Sequence, residues 1–492
     1  MPNFIQTEIK KITDVSSFLN DIFKDVYNLS LVQIARSLSV FNNYISHFRN
    51  DIFGLIEFPY VDKVYRDSYY HYYASKNQEY KRDCIRVSFF DRELKISDFR
   101  DPERYDDINN SYLGFVVIRP TFPHIMGRSI VSPKAIITNN FKICSVLTST
   151  TANGLKLSVS GFPHSSQNTE TIACAETTIW SVMEYFGIRY PEYTPTLPSK
   201  IGAILSQHSF ERLLPSKGLR ADQISYALRE LGFGVKLYHR EVYGKDLFLI
   251  LLRMYIESGI PVISAIQSNT IGHAQCIIGR ARFTDNDVDE LNNSEEIGKG
   301  VSLLDIEKMN LEYVFIDDNY PPYQITQLEN PGGFYSDEGF KECEITSFIV
   351  PLYSKIYLDA DAARAYVKSL IKQYIHNLDL LKDEEVILKV FLASSRSYKD
   401  YVSLNSLIDS LPKELILRVP MPKFVWVAEL SNRDLIKNNL INGLLIVDAT
   451  ETKHHGLIAG FIGNYYFSEN LNEIVQINVP LQPFKNYSNN LR

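Results

Sequence analysis

Cysteine is scarce in this chain: Cys84, Cys144, Cys174, Cys276 and Cys343 are spread over 492 residues. No two of them form a CxxC pair, which argues against a thiolate zinc site, and their number argues against a disulfide scaffold. Long apolar runs are also missing. The start, PNFIQTEIKKITDV after Met1, is mixed and polar, so no signal-peptide-like segment is expected, and no stretch has the length of a membrane span. A basic excess is lacking too. The net charge of −7 gives no support for a nucleic-acid partner. There is no internal repeat and no low-complexity segment. Together these absences point to a reducing, cytoplasmic setting.

What is present is ordinary globular material, 45% apolar and 22% charged, in a chain long enough for two or more domains. Aromatic residues reach 12%, with 31 tyrosines. The run Asp-Ser-Tyr-Tyr-His-Tyr-Tyr at 67–73 reads as a packed aromatic cluster. Residues 1–50 read as mainly helical, with apolar stripes through Phe18, Leu19, Ile22, Phe23 and Val26, and then Leu31, Ile34, Leu38 and Phe41. Strands are expected at 84–90, 112–118 and 155–159, so residues 1–155 form an N-terminal α+β region.

The next stretch organises the rest. In Cys-Ala-Glu-Thr-Thr-Ile-Trp-Ser-Val-Met-Glu-Tyr-Phe-Gly, starting at Cys174, the residues Ile179, Val182, Met183 and Phe186 recur at helical spacing. The pattern predicts a helix with one buried face, stopped by Gly187. Cys174 then lies in the first turn, where free N–H groups and the helix dipole favour a thiolate.

Further helices are expected at 200–214, 219–231 and 246–258, and strands at 235–238 and 260–266. Gly272-His273 opens another strand. Residues 283–300 read as an exposed loop or a hairpin insertion. A strand at 313–316 delivers Asp317-Asp318-Asn319 at its end. Beyond 346 a third region is expected, with a helix at 359–377 and strands at 386–392, 415–419, 424–429 and 443–447. The predicted organisation is therefore 1–155, 156–345 and 346–492.

A cysteine nucleophile needs a base to take its proton and a group to orient the base. Cys174, His273 and a carboxylate at Asp317 or Asp318 offer all three. Adjacent antiparallel strands bring the histidine opposite the carboxylate. Strand alternation sends the two aspartates to opposite faces, so only one is expected to serve. Gln167 and the Cys174 N–H suit an oxyanion hole. Taken singly, each has a plainer reading: a small buried hydrophobe, a strand end, a turn. A metal site at His454 and His455 with Asp448 and Glu451 is poorly posed, because adjacent strand residues point apart.

Gln167, Cys174 opening a helix, Gly272-His273 opening a strand and Asp317-Asp318 closing one resemble the papain-like cysteine peptidase superfamily, and within it the peptidase C39-like branch. The resemblance covers roughly residues 160–325. It implies an α+β fold in which a helix packs on an antiparallel sheet, here with N- and C-terminal α+β extensions. It also implies peptide or amide hydrolysis through a Cys-His-Asp triad and a thioester, on a peptide or protein substrate, with no cofactor and no metal. The family's aspartate commonly precedes a turn residue, which points to Asp318; a transglutaminase-like acyl transferase would use Asp317. An inactive papain-like scaffold that binds proteins is the non-enzymatic alternative. Oligomeric state is not legible.

Overall fold

The computed structural model describes residues 5–167, 174–207, 219–378, 384–452, 456–468, 473–477 and 481–492. The fold is α+β and is organised by three large sheets, almost wholly antiparallel. The first holds seven strands in the order Gln6–Lys11, Phe53–Tyr60, Cys84–Phe90, Tyr112–Ile118, Met126–Val131, Leu155–His164 and Val146–Ala152. The central sheet runs Gln324–Gln327, Glu312–Ile316, Gly272–Ala281, Val262–Gln267, Glu344–Tyr353 and Phe233–His239, with Phe141–Ile143 beside Gly272–Ala281. The third holds eight strands among the described residues, from Glu295–Gly298 and Val301–Asp305 through Glu385–Ser394 to Glu473–Gln476; among these residues only the pairing of Val301–Asp305 with Glu385–Ser394 is parallel.

The sheets follow the order of the three expected regions, but membership crosses the expected limits. Phe141–Ile143 and Glu344–Tyr353 belong to the central sheet, and Leu155–His164 to the first. The polar segment at 283–300 contains a short helix, Asp285–Asp289, and half of a hairpin whose second strand, Val301–Asp305, extends the third sheet. Among the described residues the largest apolar core extends from Ile12 to Leu491, and two smaller ones lie at Leu55–Val159 in the first sheet and Phe391–Tyr487 in the third.

Helices Val15–Asp25 and Leu31–Ile45 carry the N-terminal stripes, with Leu19, Ile22, Phe23, Ile34 and Phe41 buried. The edge strand Gln6–Lys11 before them has no apolar alternation to announce it. In the tyrosine-rich run Tyr73 is buried, with its ring centroid 6.1 Å from that of Tyr65, whereas Tyr70 is exposed, so the run packs only in part. Leu415–Val419, expected as a strand, lies mostly in the helix Ser410–Arg418, with Pro412 near its start and Ile416 on its buried side. Helix Pro198–Ser206 covers the described part of the one expected at 200–214, and His454 and His455 lie outside the described residues.

The helix Cys174–Arg189 differs from expectation in two ways. Every residue from Ala175 to Phe186 is buried, not one face only, because the helix lies between Val146–Ala152 and Leu155–His164 of the first sheet and Gly272–Ala281 of the central one. It also continues through Gly187. A Cβ there would stand 2.5 Å from Pro195 Cδ and N, so the glycine admits the neighbouring chain and does not stop the helix.

Candidate active site

Cys174 opens its helix and is partly exposed, whereas the other four cysteines are buried; all five are free. Thr178 Oγ1 donates to Cys174 O at 2.7 Å and lies 3.5 Å from Ala274 O. The first helical turn is thereby fixed to the strand that carries His273. The Cys174 thiol is among the neighbours that raise the pKa of the His273 ring.

The carboxylates reach His273 through sheet register. Cys276 pairs with Ile316 in antiparallel strands. The chain leaving Ile316 therefore runs back beside Gln275 and His273. His273 Nε2 lies 2.9 Å from Asp317 Oδ2 and 3.7 Å from Asp318 Oδ1. The carboxylate bonded to the imidazole is Asp317, whereas the turn residue had pointed to Asp318. Both aspartates are near the ring because both lie past the strand end, where alternation no longer applies.

Asp317 is heavily anchored. Gln275 Nε2 donates to Oδ2 at 3.0 Å, Tyr335 O–H donates to Oδ2 at 2.8 Å, and Asn319 N–H donates to Oδ1 at 2.9 Å. Its carbonyl accepts from His164 Nε2 at 3.0 Å. His164 is fully buried, and its Nδ1 meets Ser129 Oγ at 3.1 Å. Burial lowers its pKa to about 4, so the ring is neutral and serves as a strut. Tyr335 stacks on Phe340 with centroids 3.9 Å apart, and Phe340 packs edge-on to His273. Together they form an aromatic wall over the His–Asp pair.

The electrostatics separate the two acids. Burial alone would push His273 down, but the Asp317 charge and hydrogen bond, with help from Cys174 and Asp318, hold it well above the usual imidazole range. Burial likewise pushes Asp317 up, and the His273 charge more than reverses this, leaving it below the usual carboxylate range. For Asp318 the compensation is incomplete. Burial raises it to about 7; His273 pulls down and Asp317 pushes up. Asp318 is 4% exposed, and neither of its oxygens has a hydrogen-bond partner among the described residues.

Gln167 lies beside the cluster. Its N–H donates to Asp318 O at 3.3 Å, and its side-chain amide donates to Asn319 Oδ1. One amide hydrogen is thus directed at Asn319, not at the sulfur as the oxyanion-hole reading expects. Arg119 Nη2 donates to the carbonyls of Ser166 and Gln167 at 3.0 and 3.2 Å and fixes this segment from the first sheet. His273, Asp317 and Asp318 also place ligand atoms within 4.8 Å of one another. A cation there would have to displace the His273–Asp317 bond and compete with two donors on Oδ2.

The sequence reading missed His164, Tyr335 and Gln275. Only Gln275 had a signal: two residues from His273 on one strand, it shares a face with it. No family model matches this chain, and no curated protein matches it.

Proposed function

We propose that the protein is a thiol-dependent hydrolase of peptide or amide bonds, and that the helix Cys174–Arg189 against the central sheet is a papain-like core. The observation that carries the reading is the His273–Asp317 bond, with the partly exposed Cys174 at the start of its helix as a further neighbour of the His273 ring. With Nε2 held by the carboxylate, Nδ1 takes the thiol proton as sulfur attacks the carbonyl carbon. The Cys174 N–H, in the first helical turn, faces the developing oxyanion. The imidazolium protonates the leaving amine as the C–N bond breaks, and a thioester remains. Water then adds to the thioester, giving its proton to His273, and the thiol leaves with a proton returned. Asp317 holds the tautomer and the ring plane throughout.

The test is thiol alkylation at neutral pH followed by peptide mapping, in wild type, Cys174→Ala and His273→Ala. The four buried cysteines serve as internal references. Cys174 is expected to react first, and His273→Ala to slow it about tenfold or more. Hydrolysis of a peptide mixture should vanish in Cys174→Ala. If Cys174 alkylates no faster than Cys343, or is indifferent to His273, the enzymatic reading fails and a binding scaffold takes its place.

A further inference from the structure

A cavity of about 50 Å³ lies at the far end of the helix that opens with Cys174. At about 1.5 Å per residue, the 16-residue helix sets its two ends about 24 Å apart, so this cavity is no part of the site above. Four elements meet there. The end of the helix brings Phe186 and Arg189, and the chain just past it brings Tyr190. Glu344–Tyr353 adds Tyr353, Glu385–Ser394 adds Leu392, and Phe424–Ser431 adds Phe424.

Aromatic and aliphatic side chains make most of the wall. Ser258, Ser397 and Asn490 also line it, but each spends its side chain on a protein neighbour. Arg189 supplies the charge of the lining, and no aspartate or glutamate lines the cavity among the described residues. Glu192, just beyond the helix, is taken by Lys423. The guanidinium rests instead on two phenols: Nε donates to Tyr190 Oη at 3.2 Å and Nη1 to Tyr185 Oη at 2.9 Å. Nη2 has no hydrogen-bond partner among the described residues and keeps accessible surface. The Tyr190 hydroxyl accepts from Arg189 and gives its own proton to no acceptor among the described residues. Nε and Nη2 share one edge of the rigid guanidinium fork, so the two spare donors stand side by side. The helix dipole accounts for a cation in the last turn; it leaves both donors unused.

We propose that this cavity binds a small organic carboxylate, with one oxygen on Arg189 Nη2, the other on the Tyr190 hydroxyl, and the apolar tail against Phe186, Tyr353 and Phe424. Two neighbouring donors, one of them charged, match the two oxygens of a carboxylate, and a charge-assisted bond to arginine is the stronger kind. A guanidinium in an apolar cleft with no acid beside it calls for an anion from outside. The volume selects a short chain: at about 10–15 Å³ per water-sized position there is room for about four. None of this rests on the hydrolase reading.

The test titrates propionate, and separately its neutral counterpart propionamide, into the full-length protein at pH 7 and constant ionic strength, with binding read by ligand-observed magnetic resonance. Propionate should bind about tenfold tighter or more, as a charge-assisted hydrogen bond requires. Arg189→Gln should erase that preference. Tyr190→Phe keeps the ring stacked on Phe186, with centroids 5.7 Å apart, and removes the second donor. It should reduce the preference, and it keeps the test open should the first variant not fold. No binding of propionate, equal binding of the two probes, or a preference that persists in both variants overturns the proposal. Failure of the hydrolase reading is seen separately, in alkylation of Cys174 that ignores His273.

Discussion

Replacing Asp318 by asparagine keeps the shape of the side chain and removes an acid whose proton is held more tightly in the folded chain than in the unfolded one. The ordinary carboxyl value of 3.8 is raised to about 7, by burial first, with His273 opposing and Asp317 adding to it. The sign follows from which state binds the proton. Below about pH 4 both states are protonated, and the group is neutral in the balance. Between about 4 and 7 the unfolded chain releases the proton freely while the folded chain must keep it, so the stability present at low pH is lost as pH rises through the folded value. Three units at about 1.4 kcal/mol each set an upper bound on the order of 4 kcal/mol, reduced to the extent that His273 and the loop relax. Asp318→Asn should therefore match wild type near pH 4 and exceed it increasingly up to pH 8. Urea unfolding of both proteins across that range measures the difference directly. A difference that stays flat with pH, or falls as pH rises, would refute the account of Asp318 as an incompletely compensated buried acid.

Two further substitutions test the frame around the relay. Tyr335→Phe removes the donor 2.8 Å from Asp317 Oδ2 and keeps the ring stacked on Phe340. Turnover should fall about tenfold, the worth of a hydrogen bond to a charged group. The acid limb of the rate profile should move to higher pH, because Asp317 loses a bond that favours its ionised form; an unchanged profile counts against Asp317 as the orienting acid. Gly187→Ala forces a methyl to 2.5 Å from the Pro195 ring and nitrogen. It should cost about 1–3 kcal/mol, as overpacking does, visible as a lower Tm, and an unchanged Tm refutes the close-approach reading of this glycine.

Much of the central region was legible because its signals are local. Helical spacing from Cys174 and the strands that begin at Gly272 and end before Asp317 are written in short stretches. What was not legible depends on distant partners. The helix is buried all round because two sheets enclose it, and no periodicity within Cys174–Arg189 records the second sheet. The choice between Asp317 and Asp318 turns on where the strand ends, a matter of one residue. Tyr335 reaches the site from an irregular, glycine-containing connection with no pattern of its own, and His164 reaches it from the end of a strand in the first sheet. The helix Ser410–Arg418 was misread because the short apolar run Leu415-Ile416-Leu417, with Val419 after it, cannot be told from a strand by periodicity.

These distant supports bear on whether residues 156–345 can stand alone. Cutting at 155 removes Phe141–Ile143, which pairs with the strand of His273. It removes Ser129, the partner of His164, and Arg119, which holds the carbonyls of Ser166 and Gln167. Cutting at 345 leaves only the first two residues of Glu344–Tyr353, the strand between Val262–Gln267 and Phe233–His239. It also strips Val301–Asp305 of its parallel neighbour. Each loss leaves backbone donors and acceptors unpaired at a former sheet interior, a cost far above the margin of a small domain. The excised segment should therefore be unfolded by circular dichroism, and its Cys174 should alkylate no faster than Cys276 or Cys343. A soluble, folded fragment with selectively reactive Cys174 would mean that the relay needs neither flanking sheet, and that the seam between the first and central sheets is packing only.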